Sequence, residues 1–322
     1  MKRASNGAML LQFLLIAFWF STTLIAGIMY RMLISAMFFE FPLFLLLGQS
    51  VTILALIQLG KTLLPDLCKS WNTSVDLNAF PASLLICVTV FLDFNFFLES
   101  CSARLLQLFV PPVIAFIMLN SSGNQRALIG RKFPVVMAIL SVVFSYSSMS
   151  IGELTTKGVM FGICLLFFNA YSLITLRKYL KSSSTSRFLF SHCTFVSFTL
   201  FLYELCQHDI HRLYLYVQVW QFPYFWYVFS SFFVSSCLSL ISFCHVITRF
   251  DLTTIAISLN TKCAWQFVIA NYVFRHIAKK IFLELNFSNY VSAIAAFLLN
   301  LAVFWIDSKK RVENEMHLRN VE

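Results

Sequence analysis

Charged residues are scarce in this chain: Asp, Glu, Lys and Arg make up 12% of its 322 residues, about half their share in an ordinary soluble domain. Hydrophobic residues reach 59% and aromatic residues 17%. That balance excludes a soluble globular fold and predicts an all-α membrane protein. The usual motifs of enzyme chemistry are missing as well. No C-x-x-C, H-E-x-x-H, G-x-S-x-G or P-loop occurs, and Asp93 and Glu99 are too far apart along a helix to form a convincing carboxylate pair. No enzyme, cofactor or metal is therefore indicated, and the histidines show no ligand spacing on one helix. The nine cysteines are scattered mostly in apolar segments and read as small buried hydrophobes. One bridge, between Cys101 and Cys206, stays open. The net charge of +10 is spread over short loops and the C-terminal tail instead of forming one stripe, so nucleic acid is not the expected partner. The lipid bilayer is, and the 37 phenylalanines supply its contact surface.

Hydropathy places ten spans. They cover about 8–30, 41–60, 80–98, 104–119, 133–149, 157–176, 188–206, 222–246, 251–274 and 290–306. The apolar run after Lys2 and Arg3 is too long for a secretory signal and reads as the first span. Pro42 suits the first turn of the second. Pro111-Pro112 must bend or interrupt the fourth, which a membrane tolerates only where protein or a cavity satisfies the freed carbonyls. The stretch 207–221, with Tyr214, Tyr216 and Trp220, suits the headgroup level. With the N-terminus in the cytosol, sixteen of the 24 Lys and Arg fall on the cytosolic side, seven opposite, and Lys262 within the membrane, as the positive-inside rule favours. Both termini are then cytosolic, and the sequons at Asn72 and Asn120 face the cytosol. Ten spans divide into halves at 1–150 and 151–306, followed by a mobile tail at 307–322. Five spans per half force the second half into inverted topology, which places a substrate site at the midplane.

The ninth span, 251–274, is the most polar of the ten. It carries Thr253, Thr254, Ser258, Asn260, Thr261 and Lys262. A lysine at mid-depth costs about 2.5–3.5 kcal/mol on insertion scales, so it normally faces a water-filled cavity or an anionic partner; the alternative is snorkelling to an interface. Ser258 and Lys262 are four residues apart and share a helix face, with Thr261 beside them. Together they offer a cation and two hydroxyls to an anion. Gln49 on the second span, Asn169 and Tyr171 on the sixth and Tyr203 on the seventh are further substrate-binding candidates. A mid-membrane Asn or Gln serves equally well as interhelical glue.

Three stretches resemble the nucleotide-sugar transporters of the drug/metabolite transporter superfamily. Phe41-Pro42 followed by LFLLLGQS is similar to the start of that family's second helix. TTIAISLNTK is similar to its ninth, with Ser258 where the family has Gly, Leu259 on Ala, Asn260 on Leu, Thr261 on Asn and Lys262 on Lys. Gly158 to Lys178, with Asn169, Ala170 and Tyr171 before a basic exit, is similar to its sixth. The departures are Ser258, Thr261, the lack of a Tyr-Asn-Asn element near Tyr203 and Glu204, and the lack of an Arg pair in the fourth span.

The resemblance implies an antiporter of the Golgi or ER membrane. It would move a UDP- or GDP-sugar into the lumen in exchange for nucleoside monophosphate by alternating access, without cofactor or ion, as a monomer or a homodimer. Two other readings remain open. A same-superfamily transporter could carry another anionic metabolite, and a heptahelical receptor would have its termini on opposite sides of the membrane.

Overall fold

The computed structural model describes residues 2–37, 39, 41–66, 71, 73–99, 106–120, 127–148, 156–207, 211–212, 220–274 and 286–319. Among the described residues there is no strand, and the elements are ten α-helices. These are α1 (Lys2–Arg31), α2 (Pro42–Leu63), α3 (Phe80–Glu99), α4 (Val110–Asn120), α5 (Ala127–Ser147), α6 (Thr156–Ser182), α7 (Thr185–Gln207), α8 (Pro223–Arg249), α9 (Leu252–Phe274) and α10 (Phe287–Arg319). A π-helical turn, Met32–Ala36, ends α1, and a 3-10 turn, Leu77–Ala79, leads into α3. Among the described residues six helices are long and apolar enough to cross a membrane. The chain is an all-α, multi-pass membrane protein. The helix α9 is not among the six, because its Thr, Ser, Asn and Lys residues dilute its apolar content.

Each helix covers one expected span, with three differences. The first is at the Pro pair: α4 begins at Val110, so Pro111 and Pro112 sit in its first turn, where the missing N–H groups cost least. The second is the connection after α6. That helix runs on to Ser182 and α7 starts at Thr185, so the expected polar loop 177–187 shrinks to two residues. The third is the C-terminal segment. Expected to be mobile from Asp307, it instead continues α10 as helix to Arg319; its Lys, Arg and Glu are good helix formers that extend the preceding span. Tyr214, Tyr216, Cys101 and the basic cluster at 275–280 lie outside the described residues.

The chain forms two compact units. One takes 1–21, 95–170 and 249–322, and the other takes 22–94 and 171–248. The first therefore holds α4, α5, α9 and α10 and the second α2, α7 and α8, so each unit draws helices from both sequence halves. Helices α9 and α10 pack on each other and on α5, with α4 against α5 and α9.

In the second unit α2 packs along α7 and is fastened to α8. Gln49 donates from Nε2 to the Ser236 carbonyl at 3.0 Å. One residue earlier, Gly48 gives the Phe233 ring its place: a Cβ built there would lie 2.6 Å from Phe233 Cε1 and Cζ. The ring is held by Phe229, centroids 4.7 Å apart, and by Phe232 at 5.6 Å. At the start of α8, Trp220 from the preceding segment meets Phe225 and Trp226 at 5.3 and 5.2 Å, and Trp226 donates from Nε1 to the Trp220 carbonyl at 2.8 Å.

A polar knot closes the α6–α7 end of the same unit. Asp76 caps the 3-10 turn, accepting from the Asn78 N–H at Oδ1. Its Oδ2 accepts from the Tyr179 hydroxyl at 2.8 Å and lies 3.3 Å from Arg187 Nε. The Asp76 N–H donates to Ser191 Oγ at 2.8 Å. These partners, chiefly the Tyr179 hydroxyl, then the Asn78 N–H and Arg187, hold the Asp76 carboxyl below its ordinary value of 3.8 against the opposing effect of burial.

Two predictions test these fastenings. Gly48→Val should lower the melting temperature of the detergent-purified protein by an overpacking cost of about 1–3 kcal/mol, and Phe233→Leu in the same chain should recover part of it. A carboxyl with a lowered folded-state pKa stabilises above its ordinary value and loses that contribution as pH falls through the lowered one. Melting temperature should therefore drop on acidification below about pH 4, with a shallower drop for Asp76→Asn.

Candidate functional site

Lys262 is the eleventh of the 23 residues of α9, near its midpoint. What surrounds it follows from how the other polar groups of that helix are satisfied. Ser258 is fully buried and donates to the Thr254 carbonyl at 3.0 Å and to Asn300 Oδ1 of α10 at 2.8 Å. Thr261 is likewise fully buried, bonded to the Ile257 carbonyl at 3.0 Å and the Ala296 carbonyl of α10 at 3.3 Å. Small residues, Ala256, Ala264, Ala293 and Ala296, line the buried sides of the two helices and let their backbones approach. One turn on, Trp265 stacks edge-on against Phe297, centroids 6.2 Å apart. The seam is closed at its far end by Asp307, which accepts the Asp251 N–H at 2.8 Å, and by Phe250 against Phe304.

Asn260 turns the other way. Its Nδ2 donates to the Leu108 carbonyl at 2.7 Å and reaches Ser141 Oγ of α5 at 3.3 Å. Leu108 lies four residues before Pro112, so its carbonyl is the one that a residue other than proline at 112 would bond. The carboxamide of α9 replaces that missing donor. Cys263 packs with Leu108 and Val142 on the same side.

At about 100° per residue, Lys262 points roughly 160° away from Asn260. The α4–α5 side of the helix is therefore excluded for it, and its nearest neighbour on its own face is Ser258, which is turned toward α10. Lys262 is half-buried and makes no hydrogen bond or ion pair among the described residues. The neighbouring Trp265 Nε1 is buried and also lacks a hydrogen-bond partner. Two N–H donors three residues apart on α9 are thus left without acceptors.

The remaining sequence candidates are distributed over both units. Asn169 is half-buried in the first unit and has a partner of its own. Gln49, in the second unit, is committed to α8 as described. Tyr171 and Tyr203 are 52% and 39% exposed on the second unit's helices. The alignment of Ser258 and Thr261 with Lys262 is present, but both hydroxyls are engaged with α10. Helical spacing finds a face; it does not say whether a neighbour already fills it. The tie from Asn260 was missed in sequence, although the proline pair signalled that a donor was needed. Trp265 gave no signal.

Neither a family model nor a curated protein matches the chain. Solved structures do: one described only as "Crystal structure of protein" aligns with a TM-score of 0.61 over 93% of this chain and 97% of its own length, at 13% identity. At that identity the likeness concerns the fold alone.

Asn260→Leu keeps size and apolarity but strands the Leu108 carbonyl, at a cost of about 1–3 kcal/mol. A lower melting temperature, with Ser141→Ala much milder, is the expected result.

Proposed function

We propose that this protein is a carrier of phosphate-bearing metabolites, and that Lys262 is the cation that receives the phosphate. The observation that carries the reading is an ammonium at the middle of a helix in a membrane protein, with every other polar side chain from Ser258 to Thr261 satisfied and Lys262 left without an acceptor. A buried or half-buried cation is stable only with an anion or water nearby. Trp265 adds a neutral donor one turn away. Ser258 and Thr261 contribute indirectly in this reading: by fixing α9 on α10 they set the direction in which Lys262 points. Asn169 and Gln49 serve helix packing in this reading.

The substrate that best suits this chemistry, and that the resemblance of 254–262 to nucleotide-sugar transporters implies, is a UDP- or GDP-sugar. It would be exchanged for nucleoside monophosphate across a Golgi or ER membrane by rocking of two inverted five-helix halves. Both termini would be cytosolic. The ten helices among the described residues exceed the seven of a heptahelical receptor.

The test is uptake of a panel of nucleotide sugars, with free phosphate and other anionic metabolites alongside, into vesicles holding purified protein preloaded with nucleoside monophosphates. Losing a desolvated charge pair costs about 2–5 kcal/mol, so Lys262→Ala should reduce uptake at least roughly 30-fold at unchanged expression. Normal uptake by that variant would sink the assignment. Uptake of a different anion alone would keep Lys262 and replace the sugar.

A further inference from the structure

Positive charge gathers at the end of the second unit where α2 stops and α6 turns into α7. Asp76, Tyr179 and Arg187 meet there, as described above. Lys61, in the last turn of α2, joins them by donating from Nζ to Thr73 Oγ1 at 2.9 Å, just ahead of Asp76 in the chain. Lys178 and Lys181 flank Tyr179 in the last turns of α6, and all of these residues belong to the one unit. With Arg177 there are five cations at this end against two carboxylates, Asp66 and Asp76, among the described residues, and Asp76 is already engaged by Arg187. Lys178 and Lys181 are three residues apart and share a helix face. Both are exposed, and neither has a hydrogen bond or ion pair among the described residues. The C-terminus of α6 offers them only about half a negative charge, so an excess of positive charge remains.

Beside that charge the surface is apolar. Leu63 and Leu77 are 71% and 78% exposed, and Leu64, Trp71, Val75 and Phe80 are open as well. A cluster of lysines that met only water would need no such border; large apolar side chains left open next to basic ones mark a surface that touches a membrane. The apolar spans of α2 and α6 end at Leu63 and Ser182, which sets Lys178 and Lys181 at the level of the lipid headgroups. A choline headgroup cancels the charge of its own phosphate, whereas a serine or inositol headgroup leaves a net negative charge. The excess of cations therefore selects the second kind.

We propose that this end of the second unit binds the headgroup of an anionic phospholipid, with Lys178 and Lys181 on its oxygens and Leu63, Leu64 and Leu77 against its acyl region. In the orientation that the loop charges favour, the lipid belongs to the cytosolic leaflet, the one that carries anionic headgroups. The site is independent of the carrier reading and lies on the unit that does not hold Lys262. Because Tyr179 sits between the two lysines, a lipid held there also secures the turn that is tied to Asp76.

A ligand that binds only the folded state raises the melting temperature. The full-length protein is therefore melted in detergent micelles doped with phosphatidylserine or, at the same content, with phosphatidylcholine. The expected result is a higher melting temperature with phosphatidylserine, by a margin that shrinks as salt is added. The phosphatidylserine content giving half of that rise should increase about fivefold for each lysine removed in Lys178→Gln and Lys181→Gln. Both side chains are exposed, so neither substitution threatens the fold. Lys309→Gln with Lys310→Gln takes the same charge from α10, beside Asp307, and should leave the margin intact. Equal melting temperatures with the two lipids would overturn the proposal, as would a margin that survives in the Lys178→Gln, Lys181→Gln double variant or falls equally in the α10 variant. A rise of the same size with inorganic phosphate alone would also overturn it, since the ligand would then be a free anion and not a lipid.

Discussion

Hydrocarbon offers no hydrogen bonds, and the arrangement around α9 follows from that constraint. The helix carries Ser258, Asn260, Thr261 and Lys262 within five residues of its middle, and each must find a partner within protein or face a space that holds one. Ser258 and Thr261 find theirs on α10 through Asn300 and Ala296. Asn260 finds its partner on the Leu108 carbonyl, which the proline pair released. The tie serves both ends: α9 supplies a donor to a carbonyl just before α4, and α9 tolerates an asparagine because that carbonyl accepts. Lys262 stands out against this background because the helices that satisfy its neighbours leave it alone.

The second unit solves the same problem with fewer polar groups. Gly48 lets α2 approach α8 closely enough for the Phe233 ring to rest on its backbone, and Gln49 fastens the contact from the next position. At the α6–α7 turn, the knot around Asp76 ties the entry to α3 to both helices of that tight hairpin. Aromatic rings around Trp220 and Trp226 brace the start of α8 in a similar way.

Hydropathy alone located all ten helices, because apolar runs of about twenty residues interrupted by charge have no other stable use. Charge runs misled at two places. Lys178 and Lys181 read as loop, yet their long stems extend α6 to Ser182, and the run from Asp307 read as tail although its composition favours helix. The candidate site was legible at Lys262, since a buried charge is conspicuous in any apolar run. It was not legible at Ser258 and Thr261, whose partners lie about forty residues further along the chain on α10 and leave no trace in local spacing. Neither was the knot at Asp76, assembled from three separate segments, nor the pairing of Asn260 with a carbonyl some 150 residues away.

The length of α10 has its own consequence. Its 33 residues span about 50 Å at 1.5 Å per residue, well beyond the ~30 Å hydrocarbon layer. The basic and acidic turns past Asp307 therefore project as a stiff stalk into water, continuous with the segment that holds Asn300. Anything attached to the end of that stalk, whether a fusion tag or a tethering surface, bears through unbroken backbone on the helix against which the lysine-bearing α9 is seated.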